Sequence, residues 1–137
     1  MVRILIFFTL IILLNACSNS NNEYKPSKIS PSNIRIEYYK ELVGILNKIN
    51  KNMLTNIEYT EKEHQDILRF FMINNSKTDE EFAIKTKLSL LDVSSNQYFK
   101  AIRTNDMKLK ETSIKYYQDE LKEIEILLNI SSEHPKK

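Results

Sequence analysis

Between Ser32 and His134 the chain contains no proline, and its one glycine is Gly44. Proline removes a backbone donor and clashes with the preceding turn, so its absence leaves that whole stretch open to helix. One glycine also leaves few positions for the tight turns that a strand architecture needs. The three prolines, Pro26, Pro31 and Pro135, all lie at the edges. The fold class expected is therefore all-α.

The apolar residues carry the helical period. Tyr38/Tyr39, Leu42, Ile45/Leu46, Ile49, Met53 and Ile57 recur at three- and four-residue steps. Ser30-Pro31 reads as a helix start, with serine as N-cap and proline at the first helical position. Thr60-Glu61-Lys62-Glu63 has the form of a capping box, a hydroxyl followed three residues later by glutamate. A break there gives a second helix from about Glu61 to Asn74, with Ile67, Leu68, Phe71 and Met72 inward. The alternative is one long helix over residues 31–74, because the apolar phase continues through Thr60.

Asn74 to Lys77 is a polar turn, and Thr78-Asp79-Glu80-Glu81 begins the next helix with a cap and three acids at its positive end. That helix should bury Phe82, Ile84, Leu88, Leu91, Tyr98/Phe99 and Ile102. Thr104-Asn105-Asp106 turns the chain. The last helix presents Met107, Ile114, Tyr117, Leu121, Ile124 and Leu128. An antiparallel hairpin about Asn105 brings Leu91 near Tyr117 and Leu88 near Leu121, and the turn at Ser76 brings Phe71 and Phe82 together at one end. The expected architecture is a small antiparallel helical bundle of three or four helices over residues 31–130. Residues 131–137 are expected to form a disordered tail.

The amino terminus is of another kind. Arg3 precedes an apolar run from Ile4 to Leu14, broken only by Thr9. The run is too short for the ~20 residues of a membrane-spanning helix, and its length and flanks suit a secretory signal. It ends in Leu14-Asn15-Ala16-Cys17, which resembles the lipobox of bacterial lipoproteins. Leu14 and Ala16 match that pattern, whereas Asn15 stands where small or apolar residues are commoner. The resemblance covers only this prefix. It implies a signal peptide over residues 1–16, cleavage before Cys17, a diacylglycerol thioether on that thiol, and an acylated (often palmitoylated) new terminus. Cys17 is the only cysteine, so it has no internal disulfide partner. Residues 17–30 are polar and aperiodic, and read as a lipidated cysteine followed by a flexible linker.

A formal charge of +2 leaves no electrostatic footprint for nucleic acid. No glycine-rich loop cradles phosphate and no elbow presents a serine. Glu61 and His64 have Glu-x-x-His spacing, which dimetal bundles use twice. The only other histidine is His134, so a metal enzyme at Glu61/His64 is the weakest of the readings and no metal or cofactor is expected. Adjacent aromatics at 38/39, 98/99 and 116/117 diverge by about 100° on a helix, which turns one of each pair towards the surface. Arg69-Phe70-Phe71-Met72-Ile73 is more apolar than one face requires. The candidate partner-binding residues are therefore Tyr39, Phe70, Ile73, Phe99 and Tyr116. The expected function is a non-catalytic, membrane-anchored envelope lipoprotein whose bundle binds a protein, in a pilot, exclusion, immunity or surface role. The rival is a passive or membrane-active envelope protein. Ser18 after the cysteine fits outer-membrane sorting in enteric-type bacteria.

Overall fold

The computed structural model describes residues 23–73 and 75–130. The expected signal peptide, Cys17, Asn74 and the expected tail 131–137 lie outside the described residues. Four helices follow in order: α1 (Ile36–Thr55), α2 (Glu61–Met72), α3 (Asp79–Thr104) and α4 (Met107–Leu128).

The helix ends explain the count. At Thr60 the capping box forms: the Glu63 N–H donates to Thr60 Oγ1 (3.3 Å) and the Thr60 N–H donates to Glu63 Oε2 (2.9 Å). Two donors without helical partners are satisfied at once, so the chain breaks here and residues 31–74 are not one helix. Thr78 caps α3 through the Glu81 N–H (3.1 Å), and Asp106 caps α4 through the Leu109 N–H (2.9 Å).

The carboxyl ends of three helices use asparagine where glycine is usual. Asn56, Asn105 and Asn129 have φ of 53°, 55° and 49°. The following residue's N–H folds back onto the last turn: Ile57 to Asn52 O (3.1 Å), Asp106 to Ala101 O (2.9 Å), Ile130 to Glu125 O (3.0 Å). This pattern satisfies carbonyls that the helix leaves open.

The first helix begins five residues later than Pro31. The Ile34 N–H closes a turn on Pro31 O, Ser30 Oγ donates to Ile34 O, and Asn33 takes φ 65°. A left-handed residue stops a helix from continuing through it. Ser30 therefore spends its hydroxyl on this turn, and α1 starts at Ile36 without a side-chain cap.

α1 and α3 run parallel, with Arg35 beside Glu81 at one end and Asn56 beside Tyr98 at the other. α2 and α4 run back along opposite sides of that pair. The hairpin register is fixed by Lys87, whose Nζ lies 3.1 Å from Glu120 Oε2 and 2.7 Å from Glu123 Oε2. Tyr38, Leu42, Leu46 and Ile49 of α1 are buried with Ile84, Leu88 and Leu91 of α3 and Tyr117, Ile124 and Leu128 of α4. Gly44 is exposed, and a Cβ there would meet nothing within 4 Å, so it does not serve close helix packing.

Several inward assignments are corrected. Ile57 is exposed because α1 has already ended at Asn56. Ile102 and Met107 flank the Asn105 turn and are exposed there. Met72 is 83% exposed because α2 buries Ile67 and Phe70, a face rotated from the expected one. Within the expected linker, Tyr24 is buried in the core and the Ser27 N–H bonds to Tyr39, while Glu23 and residues 25–29 are exposed.

Candidate interaction surface

The carboxyl end of α2 is set by two buried charges on α3. Lys85 donates its Nζ to the Ile73 carbonyl and lies 5.7 Å from the Phe70 ring centroid. A cation at that end complements the helix dipole. One turn earlier, Glu81 is fully buried and fully satisfied. Arg35 donates from Nε to Oε1 (2.8 Å), from Nη2 to Oε2 (2.8 Å) and from its backbone N–H to Oε1 (3.0 Å). The Lys77 N–H donates to Oε2 (2.7 Å), and Arg35 Nη2 also donates to Asn75 O (2.6 Å). The Arg35 guanidinium holds the Glu81 carboxyl at a pKa of about 2. This hub ties the start of α1, the α2–α3 loop and the start of α3 together.

That framework leaves an apolar surface over it. A cavity of about 390 Å³ opens between α2 and α3, lined by Phe71, Phe82, Lys85, Thr86, Ser89 and Leu90. Phe71 and Phe82 thus line one cavity at the end where the chain turns from α2 to α3, as the turn at Ser76 implies. A second, of about 410 Å³, lies between α1 and α2, with Ile45, Phe70 and Ile73 among a rim of Glu41, Lys48, Asp66 and Arg69. The two share the Arg69–Ile73 run, so the excess of apolar residues there is spent on surface.

The five candidates separate. Ile73 is 51% and Tyr116 60% exposed. Tyr39, Phe70 and Phe99 are buried, and cannot meet a partner. Tyr38 and Tyr39 are both enclosed because α1 is the central helix, covered on two sides. Phe70 stacks on Tyr38 with centroids 6.0 Å apart. Phe99 packs edge-on against Tyr59 at 6.4 Å and Tyr98 at 5.3 Å. The 98/99 and 116/117 pairs divide as the 100° rule requires, with Tyr98 half-buried beside buried Phe99 and Tyr116 exposed beside Tyr117, which is buried and donates to Asn50 Oδ1 (3.0 Å). Phe82, 63% exposed, was assigned inward and is instead the largest side chain of the open surface. Its phase held the signal, since it lies about 200° from Ile84, which is buried.

Glu61 and His64 do not converge on a ligand. Glu61 Oε1 accepts from Gln65 Nε2 (2.8 Å), and His64 stacks on Tyr59 at 6.4 Å. Among the described residues no three His, Cys, Asp or Glu side chains gather as metal ligands. Beneath His64 lies Asp92, nearly buried, with Oδ2 accepting from Asn96 Nδ2 (3.1 Å). Its Oδ1 has no well-formed hydrogen bond; the Tyr59 hydroxyl is close but donates to Ser95 Oγ (3.2 Å). Burial pushes the Asp92 carboxyl above its ordinary range, against the pull of Tyr59, His64 and Asn96. Among the described residues no helix is long and apolar enough to cross a membrane.

No protein family, curated protein or solved structure matches this chain.

Proposed function

We propose that this is a lipid-anchored envelope protein that binds another protein through the apolar surface between α2 and α3. The carrying observation for binding is the apolar lining of one open groove by Phe71, Phe82 and Leu90, with Met72 and Ile73 exposed at the end of the helix that carries Phe71. Contiguous apolar surface on a small domain costs solubility and marks interaction sites. The anchor rests on Leu14-Asn15-Ala16-Cys17 behind its apolar run. The lipid on Cys17 would hold the protein in the cell membrane, or in the outer membrane of a Gram-negative cell. The role is non-catalytic: a pilot, exclusion, immunity or surface-interaction protein that presents a face.

A photo-crosslinking residue at Phe82 tests the binding face, with Ile126, on α4 and 69% exposed, as control. One stoichiometric adduct from Phe82 and none from Ile126 is expected in intact membranes. Recovery of lipid alone from Phe82 would remove the protein-binding reading. Cys17→Ser tests the anchor separately. The variant should fold but leave the detergent phase; full retention after signal cleavage would end the lipoprotein assignment.

A second reading has its own observation. Leu54, Ile57, Ile102 and Met107 are all exposed at the end where the α1–α2 and α3–α4 turns meet. An apolar tip of that kind suits direct contact with lipid. Vesicle leakage by the Cys17→Ser chain would favour it; no leakage would leave the α2–α3 surface as the working face.

A further inference from the structure

The segment just after the anchor occupies a built site on the bundle. Tyr24 is 3% exposed, and its backbone is read in both directions by one side chain. The Tyr24 N–H donates to Asn47 Oδ1 (2.7 Å), and Asn47 Nδ2 donates to Tyr24 O (2.8 Å). An amide side chain can satisfy a peptide unit this way because it carries the same donor and acceptor. The Tyr24 hydroxyl donates to Glu125 Oε1 of α4 (2.6 Å), a charge-assisted bond. Two turns back along α1, the Tyr39 hydroxyl accepts from the Ser27 N–H (3.1 Å). The site lies along the α1–α4 edge, opposite the α2–α3 groove.

The geometry points to the α1–α4 edge as a binding site for the chain's own extended segment 23–27, a latch that sets how far the bundle stands from its anchor. This rests on the reading of Cys17 as the lipidated residue. Tyr24 lies seven residues after Cys17, so the docked segment leaves at most about 24 Å of chain. Release back to Ser30 lengthens the free chain to thirteen residues, about 45 Å. The latch includes two bonds to the Asn47 amide, one carboxylate bond, the Ser27 bond to Tyr39 and one buried ring. Hydrogen bonds exchanged for bonds to water contribute little net, and a terminal segment opens locally while the bundle stays folded, so the contact is reversible.

Asn47 is the decisive residue, since it is half-buried and its amide serves the latch. Hydrogen exchange on the full membrane-bound chain should find the Tyr24 amide protected tenfold or more over a free peptide. Asn47→Ala should remove that protection, while the amides of Leu42 and Leu46 keep theirs and report an intact bundle. Asn47→Asp retains the acceptor and should keep part of the protection. Equal exchange at Tyr24 in all three chains would overturn the latch. Reach is read separately, with a dye at Lys62→Cys and acceptor lipid in phosphatidylethanolamine–phosphatidylglycerol vesicles. Asn47→Ala should raise the dye by up to about 20 Å. An unchanged height with a freed Tyr24 amide would overturn the control of reach. A chain that does not stay on the vesicles would remove the lipid anchor and the reach with it, whereas the exchange result would still decide whether the segment docks.

Discussion

Glu81 and Asp92 lie on the same buried face of α3, three turns and about 16 Å apart, and their carboxylates have opposite fates. Glu81 accepts from Arg35 and from two backbone N–H groups, and its pKa falls to about 2. Asp92 has one amide donor of good geometry and no cation bonded to it, and burial raises its pKa. Desolvation acts on both. What differs is the supply of donors to the charged form, so a buried carboxylate is as stable as the hydrogen bonds that reach it. One end of α3 is thus clamped by charge, and its middle carries an electrostatic cost.

The largest test is Glu81→Gln. Loss of one partner leaves the Arg35 charge without its counterion, at about 3 kcal/mol, the low end of the range for breaking a buried pair because the guanidinium reaches solvent. Urea denaturation at pH 7 reads this directly. A loss under about 1 kcal/mol would mean that water replaces the clamp. The pH dependence follows from the lowered pKa. The Glu81 contribution is complete above its ordinary value of 4.5 and disappears as pH falls towards 2. Glu81→Gln should flatten that acid limb.

Thr78→Ala is next, at about 1 kcal/mol, because its hydroxyl caps the Glu81 N–H and ties Asn33 O (2.7 Å) into the same hub. Thr60→Ala should cost a similar amount by loss of the capping box on the loop that carries Tyr59 over Asp92. Thermal unfolding of the two variants compares the ends of the bundle. If Thr60→Ala is stabilising, the α1–α2 break is not held by its cap.

Asp92→Asn should go the other way, neutral or stabilising by under about 1 kcal/mol at pH 7. The sign comes from the raised pKa. Asp92 favours folding when protonated, and that contribution is lost as pH rises through its folded value. The difference between Asn and Asp should therefore vanish in acid. A destabilising Asp92→Asn at pH 7 would show that Tyr59, His64 and Asn96 supply what the carboxylate needs. Gly44→Ala is the calibration, since it lies on α1 in open space and touches neither carboxylate. It should add about 0.5–1 kcal/mol by helix propensity alone.

The contrast also shows what a sequence can carry. The caps at Thr60 and Thr78 were legible because donor and acceptor lie three residues apart, whereas Asp106 was legible only as part of a turn. The hairpin register was legible because both helices keep one apolar phase. Glu81 was readable as an acid at a helix start, but its partner Arg35 stands 46 residues away and no local rule connects them. Tyr24 was hidden for the same reason: its polar neighbours predict a linker, and its pocket is built from Asn47 and Glu125. Of the five candidate residues, Ile73 and Tyr116 are exposed, while Tyr39, Phe70 and Phe99 are buried, because burial depends on which neighbouring elements cover a helix face and not on the local pattern alone. Phe82 was missed because an apolar residue beside an apolar stripe was assigned to the stripe.

The asparagines that end α1, α3 and α4 leave the protein room to evolve. Each holds a left-handed conformation that glycine adopts without steric cost and other residues adopt at about 1–2 kcal/mol. A lineage that gained glycine at any of them would bank stability without touching the core, the clamp or the open surface. That reserve could be drawn on by changes at Phe82 or Ile73 that destabilise the fold while altering what the surface meets, which is how a face of this kind changes partners without losing its scaffold.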